Sequence, residues 1–145
     1  VPDRVKVIRT IIGELTRIAS HCLWWGVMGM DLGALTTYFY AFRDREMFND
    51  IFEETCGARL TMNYNIPGGL MFDIHPNFVN RTKEFIKHFK TKIPEYDRLL
   101  TGNVIFEKRT KGVGILTKED AISFGVTGPV ARGSGFSSDD RKHHP

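Results

Sequence analysis

Asp31 is the one charged residue in a stretch of small and apolar residues, GVMGMDLGAL at 26–35. Burying an unpaired carboxylate is costly, so this group must be solvated, paired or neutralised. One interpretation is a helix end turned to water or paired with an arginine, although a carboxylate is electrostatically unfavourable at a helix C-terminus. The other is a carboxylate in an apolar cavity that orients a histidine from another part of the chain and raises that imidazole's proton affinity. The residues alone leave both interpretations open.

The arginines, histidines and cysteines elsewhere give weaker indications of a site. Arg59 follows a glycine by two positions and Arg132 directly precedes one, and each can bind an anion, bind a partner's carboxylate or simply be solvated. No histidine or cysteine has the spacing of a metal-ligand set, so we expect no metal or iron–sulfur site and free thiols. The residues concerned are His75, His88, His143, His144, Cys22 and Cys56.

Length and charge narrow the class of protein. The 145 residues are one domain's worth of sequence, enough for a hydrophobic core, and we predict a single helical domain over residues 1–145. The net charge of +3 comes with scattered basic residues and no basic stripe, so we expect no nucleic-acid partner. Because the sequence lacks an initiator Met and an evident end, we expect an excerpt from a longer chain.

The spacing of apolar residues predicts three long helices, near residues 3–30, 37–56 and 78–101. The first has a continuous packing face whose later positions are small, which lets a neighbouring backbone come close. The predicted fold class is mainly α: a long-helix bundle with a short extended segment near 104–106, a short helix at 117–124 and a glycine-rich loop at 125–135. The packing face consists of Val5, Ile8, Ile12, Leu15, Ala19, Cys22, Gly26 and Gly29.

Helix ends and turns have recognisable residues. Pro94 predicts a kink in the third helix, and Pro67 followed by two glycines predicts a turn in NYNIPGGL. The candidate N-caps are Thr36 or Thr37, Asn77 and Thr117, and the candidate stop signals are Gly57 and Gly102.

A membrane-spanning segment is a competing interpretation of residues 18–42, which lie between two arginines and are long enough to cross a bilayer. His21, Asp31 and the candidate helix cap at Thr36 argue against it, because a central aspartate costs about 3 kcal/mol on insertion scales.

Four stretches, in order along the chain, resemble the D subunit of NADH–quinone oxidoreductase, the hydrogenase-like large subunit in the peripheral arm of respiratory complex I. They are ELTRIASHCLWWGVMGMDLGALTTYFYAFRDRE, CGARLTMNYNIPGGL, TKEDAISFGVTGPVARGSG and DDRK. The resemblance implies that the sequence is the central helical part of a larger α+β subunit. It also implies an NADH–quinone oxidoreductase activity for the proton-pumping complex, with the fragment alone inactive.

The resemblance assigns roles to particular residues. In this family quinone binds between the hydrogenase-like subunit and a neighbour that holds the terminal iron–sulfur cluster. Asp31 matches the carboxylate that orients a quinone-site histidine lying outside this sequence, and Val27 matches a position that lines the quinone chamber. Arg59 and Thr61 match the segment that faces the cluster.

The resemblance also implies partners and a location. The fragment itself is expected to bind no cofactor, with quinone as substrate, NADH used by the complex and the cluster held by a partner. The expected partners are the other peripheral-arm subunits and the membrane-arm subunits, on the cytoplasmic side of the bacterial inner membrane, peripherally attached.

Two positions depart from the family's pattern. Many members have a histidine at or next to Thr61 and an arginine at Ile66. The missing histidine implies a less pH-dependent cluster potential and suits a low-potential quinone such as menaquinone. Two alternatives stay open: the large subunit of a related membrane-bound nickel–iron hydrogenase or dehydrogenase, and a non-catalytic helical interaction module.

Overall fold

The computed structural model describes residues 1–139 and Lys142, and it is built mainly from helices, which confirms the predicted fold class. His143 and His144 lie outside the described residues. In chain order the elements are α1 (Asp3–Asp31), α2 (Leu35–Cys56), β1 (Asn65–Ile66), β2 (Gly69–Leu70), α3 (Phe78–Tyr96), a π-helical turn (Asp97–Thr101), α4 (Val104–Thr110), α5 (Lys118–Ser123) and α6 (Gly128–Gly133).

Residues 1–106 form one compact unit, and a second unit begins at Glu107. The single domain over residues 1–145 stays a prediction, because compactness does not decide whether the two units fold independently. The functional candidates Val27, Asp31, Arg59 and Thr61 all belong to the first unit.

The helices α1 and α2 are joined by residues 32–34 and pack along each other as a helical hairpin. The predicted packing face of α1 is confirmed from Ile8 onwards, whereas Val5 at its start is only half-buried. Its buried residues are Ile8, Ile12, Leu15, Ala19, Cys22, Gly26 and Gly29.

Two glycines let α1 and α2 approach closely near the turn of the hairpin. A Cβ atom on Gly29 would lie 2.0 Å from Thr37 Oγ1, and one on Gly26 would lie 3.0 Å from the Cβ of Ala41. The Thr37 hydroxyl is itself fixed, because it donates to the carbonyl oxygen of Ala34 at 2.7 Å. Side chains larger than hydrogen therefore do not fit at Gly29 without moving α2.

The prediction that Thr36 or Thr37 caps α2 is wrong. The helix begins at Leu35, the N-cap position is Ala34 without a side-chain cap, and Thr37 packs against α1 instead. Asn77 does hold the N-cap position of α3, but its side chain makes no capping bond. The predicted stop at Gly57 is confirmed, with a left-handed φ of 74°.

The predicted turn in NYNIPGGL is a small antiparallel hairpin in which Asn65 pairs with Leu70. Gly68 has φ 85°, which glycine adopts without strain. The Arg9 guanidinium on α1 donates to the carbonyl oxygens of Ile66 and Gly69, both at 2.6 Å, and so attaches the hairpin to α1. The core of this region also includes Phe48, Ile51, Phe52, Tyr64, Phe78 and Phe85.

The third helix changes its hydrogen-bonding pattern after Pro94. The α pattern continues through Pro94 to Tyr96 and then gives way to the π-helical turn at Asp97–Thr101. The kink predicted at Pro94 stays a prediction. Gly102 follows this turn, as predicted, and its N–H donates to the carbonyl oxygen of Asp97 at 2.6 Å.

Two predictions about the C-terminal third are wrong. Residues 104–106 begin the helix α4 rather than a strand, because the Asn103 side chain accepts from the N–H of Ile105 at 2.9 Å in the manner of a helix cap. The segment 125–135 contains α6, with a proline in its first turn. The helix at 117–124 is confirmed as α5, capped by the Thr117 hydroxyl, which accepts from the N–H of Asp120.

Within the described part of the chain, no helix has both the length and the apolar character that a bilayer crossing needs. The segment 18–42 is interrupted at residues 32–34, where α1 ends and the chain turns into α2.

Candidate functional site

Asp31 is the last residue of α1, at the point where the chain turns towards α2. Gly33 takes φ 89°, and the N–H of Ala34 donates to the carbonyl oxygen of Gly29 at 2.7 Å, so the turn is closed by backbone bonds. The Asp31 side chain is exposed. Among residues 1–139, no lysine, arginine or histidine forms an ion pair with it, although it lies at the negative end of a helix dipole.

An apolar stripe leads along α1 to Asp31. Leu23 and Val27 precede it by eight and four positions, so the three residues lie on one face of the helix. Leu23 is 40% exposed, Val27 is half-buried, and Met30 and Leu35 beside the helix end are 38% and 52% exposed. The carboxylate thus stands at the edge of an uncovered apolar surface, and both interpretations of Asp31 stay predictions.

Arg59 lies in the loop after α2 and is held by three carboxylates of that helix. Its guanidinium pairs with Asp50 at 2.8 Å and also with Glu46 and Glu53. The hydrogen bonds that Arg59 donates to Asp50 and Glu53 raise the pKa of Arg59 above its ordinary value. This arginine is therefore fixed in position with a local excess of negative charge around it.

Thr61 has a backbone conformation that is unusual for its residue type. Its φ is +54°, in the left-handed region, and it is the one non-glycine residue with positive φ within the described chain. A β-branched side chain is strained there, and such strain clusters at functional positions. Thr61 is exposed, and its hydroxyl donates to the carbonyl oxygen of Leu60 at 2.7 Å.

The structure brings the candidate residues together as two pairs rather than one site. Val27 and Asp31 lie at the end of α1, whereas Arg59 and Thr61 follow the far end of α2. Because α2 has 22 residues at about 1.5 Å each, the two pairs are separated by roughly 30 Å along the helical hairpin.

The remaining sequence candidates have ordinary surroundings. Arg132 is exposed in the last turn of α6, and His75 Nδ1 lies 3.9 Å from a Glu54 oxygen. Cys22 is buried and Cys56 is half-buried, both as free thiols. Within the described residues, no group of three or more His, Cys, Asp or Glu side chains is arranged to hold a metal ion.

A buried carboxylate on α2, Asp44, is the feature that the sequence analysis missed. It is 1% exposed and accepts hydrogen bonds from three side chains. These are Arg43 Nε at 2.9 Å, the Tyr96 hydroxyl at 2.6 Å and His88 Nε2 at 3.3 Å. Since Tyr96 also stacks on Trp25 of α1, with ring centroids 4.4 Å apart, this cluster joins α1, α2 and α3.

The electrostatics of this cluster keep Asp44 charged and Tyr96 neutral. Burial raises the pKa of Asp44, but hydrogen bonds from Arg43, Tyr96 and His88 outweigh it and hold the pKa below its usual range. Burial, followed by the hydrogen bond to Asp44, raises the pKa of Tyr96. Burial and the neighbouring Asp44 raise the pKa of the Cys22 thiol to about 11, so this cysteine is unreactive at neutral pH.

Periodicity was the signal that could have identified Asp44. Asp44 lies in the polar run RDRE, which is typical of a solvent-exposed helix face. Yet Thr37, Ala41, Asp44 and Phe48 follow each other at spacings of four, three and four, which is the buried face of α2.

Comparison with known proteins identifies the family. A family profile described as "Respiratory-chain NADH dehydrogenase, 49 Kd subunit" matches residues 31–145. The chain belongs to this family. Over 145 residues it is 59% identical to the fused C/D subunit of the NADH-quinone oxidoreductase of Bacteroides thetaiotaomicron and 45% identical to the D subunit of the enzyme from Magnetococcus marinus.

The 49-kDa family assignment extends to the three-dimensional structure. A chain of the membrane-bound sulfane sulfur reductase (MBS), an archaeal respiratory membrane complex, matches with a TM-score of 0.95 and 35% identity over 100% of this chain. The chain spans 27% of the Bacteroides protein, 36% of the Magnetococcus protein and 39% of the MBS chain. The 49-kDa family relatives are thus considerably longer than this sequence.

Proposed function

We propose that this chain is part of the quinone-reducing subunit of a proton-pumping NADH–quinone oxidoreductase and forms a wall of its quinone chamber. Asp31 orients a quinone-site histidine that lies outside this sequence, and Val27 lines the chamber beside it. The loop with Arg59 and Thr61 faces the terminal iron–sulfur cluster of a neighbouring subunit. The complex is attached to the cytoplasmic side of the inner membrane and uses NADH as its electron donor.

The exposed carboxylate at the end of an apolar stripe is the observation that supports the role of Asp31. Its carboxylate has no cationic partner among residues 1–139, so it is available to an imidazole from elsewhere in the longer chain. A carboxylate beside a histidine fixes the imidazole tautomer and stabilises the imidazolium form. The apolar side chains around it favour an apolar substrate such as the quinone ring.

The roughly 30 Å between the two pairs supports a division of tasks. The end of the helical hairpin with Asp31 would orient the histidine of the quinone site, whereas the end with Arg59 would face the neighbouring subunit that supplies electrons. Each end can therefore be tested by its own substitution.

Asp31→Asn in the assembled complex tests the first assignment. Asparagine keeps the shape but removes the charge that favours imidazolium, so NADH oxidation with a quinone acceptor should fall by several-fold. General acid–base contributions are about 10²–10⁴-fold, and a group that acts through a histidine belongs at or below the lower end. NADH oxidation with an artificial acceptor that takes electrons upstream of quinone should stay unchanged.

Asp3→Asn provides a matched control at the opposite end of the same helix, where the carboxylate pairs with Lys6 at 2.9 Å. This variant should leave both reactions intact. Equal loss of both reactions in Asp31→Asn would show that Asp31 is structural. If Asp31→Asn impairs neither reaction, Asp31 is only a solvent-exposed residue at the end of α1.

Thr61→His tests the second assignment. Histidine tolerates a left-handed φ better than threonine, so the loop should keep its conformation. If this position faces the cluster, the new imidazole would couple its protonation to cluster reduction. The midpoint potential of the cluster would then shift by up to about 59 mV per pH unit for one electron and one proton. A potential and pH profile identical to those of the parent complex would contradict the assignment.

A further inference from the structure

A pocket of about 190 Å³ lies between α1 and α3. Its walls include Trp24 and Trp25 from α1 and Phe89, Ile93 and Tyr96 from α3. Trp24 is 59% exposed and Ile93 is 48% exposed, so the mouth of the pocket is apolar and open. Exposed aromatic and aliphatic side chains grouped in this way mark a binding surface.

The aromatic walls are held in place by their own contacts. Trp25 stacks on Tyr96, and Phe89 lies edge-on to Tyr96 with centroids 6.0 Å apart. The Tyr96 hydroxyl is fixed by its 2.6 Å hydrogen bond to the buried Asp44. The pocket is therefore largely formed before any ligand enters it.

The pocket lining contains one carboxylate, that of Asp97, and no lysine or arginine. Asp97 is exposed, and none of the cationic side chains within residues 1–139 forms an ion pair with it. His21 also lines the pocket. Its Nδ1 lies 2.8 Å from the carbonyl oxygen of Arg17 and must donate there, which in the neutral ring leaves Nε2 as an acceptor.

The π-helical turn sets the position of Asp97. This turn includes both Asp97 and Thr101, which line the pocket. A Cβ atom on Gly102 would lie 3.1 Å from the Asp97 carbonyl oxygen, so glycine lets the turn close tightly. Single π turns inside helices recur at functional sites.

We propose that this pocket binds the side chain of an arginine or lysine on a polypeptide segment outside the described residues. The ring of Trp24, which is 59% exposed, can attract a cation, Asp97 supplies the opposite charge, and His21 and Thr101 can accept hydrogen bonds. The open apolar mouth indicates a covering segment rather than a free ion. This chain spans 27–39% of the length of its relatives, so the rest of their polypeptide is long enough to supply such a segment.

Hydroxyl-radical footprinting of Trp24 tests this in the full-length protein purified with the subunits that remain bound to it. In the parent protein the segment should protect Trp24, which is 59% exposed here. Asp97→Lys should raise the oxidation of Trp24 by about twofold or more, because it removes one ion pair with the bound cation and adds a repulsive charge. Asp97→Asn should produce a smaller rise. Glu84→Lys, an exposed site on the same helix, should leave the oxidation unchanged.

Three outcomes would overturn the proposal. Strong oxidation of Trp24 in the parent protein would mean that nothing covers the pocket. Protection that persists in Asp97→Lys would mean that the covering segment is held by apolar contacts rather than by a cation. Protection that is lost when lipid is stripped in detergent would mean that the occupant is a lipid headgroup. None of these measurements depends on quinone reduction, so they stand apart from the proposed function.

Discussion

At the scale of single residues, two aspartates of the α1–α2 hairpin, Asp31 and Asp44, have opposite surroundings. Asp44 is buried and satisfied by Arg43, Tyr96 and His88, whereas Asp31 is exposed and lacks a cationic partner among residues 1–139. A satisfied buried carboxylate holds helices together, and an unsatisfied exposed one is available for chemistry. The sequence drew attention to Asp31 because its neighbours are apolar, and concealed Asp44 because its neighbours are charged.

Asp44→Asn should lower the free energy of unfolding of the full-length protein by about 1.5–3 kcal/mol, the contribution of hydrogen bonds to a charged group. Chemical denaturation at neutral pH measures this change. Asp50→Asn is the control on the same helix, because its ion pair with Arg59 is partly exposed and is worth about 1 kcal/mol or less. Equal effects of the two substitutions would contradict a structural role for Asp44.

The difference between the parent and Asp44→Asn should also depend on pH. The folded-state pKa of Asp44 is depressed, so its stabilisation is complete above the unfolded pKa of about 4 and is lost as the pH falls below that value. Denaturation at pH 7 and at pH 3 should therefore give a smaller difference at the lower pH. A difference that stays constant would mean that Asp44 has an ordinary pKa in the folded protein.

The strain at Thr61 predicts a stabilising substitution. Asparagine adopts left-handed φ more readily than a β-branched residue, so Thr61→Asn should raise the free energy of unfolding by about 1 kcal/mol. Thr16→Asn, on the exposed face of α1, should be nearly neutral because the two residues have similar helix propensities. A loss of stability in Thr61→Asn would show that the hydroxyl and its bond to the Leu60 carbonyl matter more than the strain.

At the scale of elements, the close contact between α1 and α2 determines where Asp31 lies. Gly29→Ala should cost about 1–3 kcal/mol, because its Cβ would overlap Thr37 Oγ1 at 2.0 Å. Gly13→Ala on the same helix meets nothing within 4 Å and should stabilise by about 0.5–1 kcal/mol. Thermal unfolding of the two variants compares them directly, and a neutral Gly29→Ala would mean that the helices are free to separate.

The long helices could be predicted from the sequence because their apolar residues recur regularly over many turns. The packing face of α1 was confirmed for that reason. The cap at Thr117 was predicted from local residues instead, a threonine followed by Glu119 and Asp120, and it was also confirmed. The sequence analysis misplaced the start of α2 and missed the helices α4 and α6. Tertiary packing of Thr37 and local bonding at Asn103 outweigh single-residue preferences. The π-helical turn after Pro94 has no sequence pattern that distinguishes it from a kink.

At the scale of the whole molecule, the described residues leave much apolar surface uncovered. Besides the stripe beside Asp31, several aromatic side chains are more than half exposed. These are Trp24, Phe39, Phe72 and Phe124. A chain that spans 27–39% of its longer relatives can have such surfaces covered by further polypeptide. The candidate quinone wall is one such surface.

A photoreactive quinone analogue in the assembled complex tests this central claim most directly. No lysine or arginine lies between Arg17 and Arg43, so trypsin releases residues 18–43 as one peptide that contains both Val27 and Asp31. The label should lie on this peptide, within residues 23–35 on fragmentation, and excess natural quinone should displace it. A label that is confined to other peptides, or that excess quinone does not displace, would contradict the assignment of this surface to the quinone chamber.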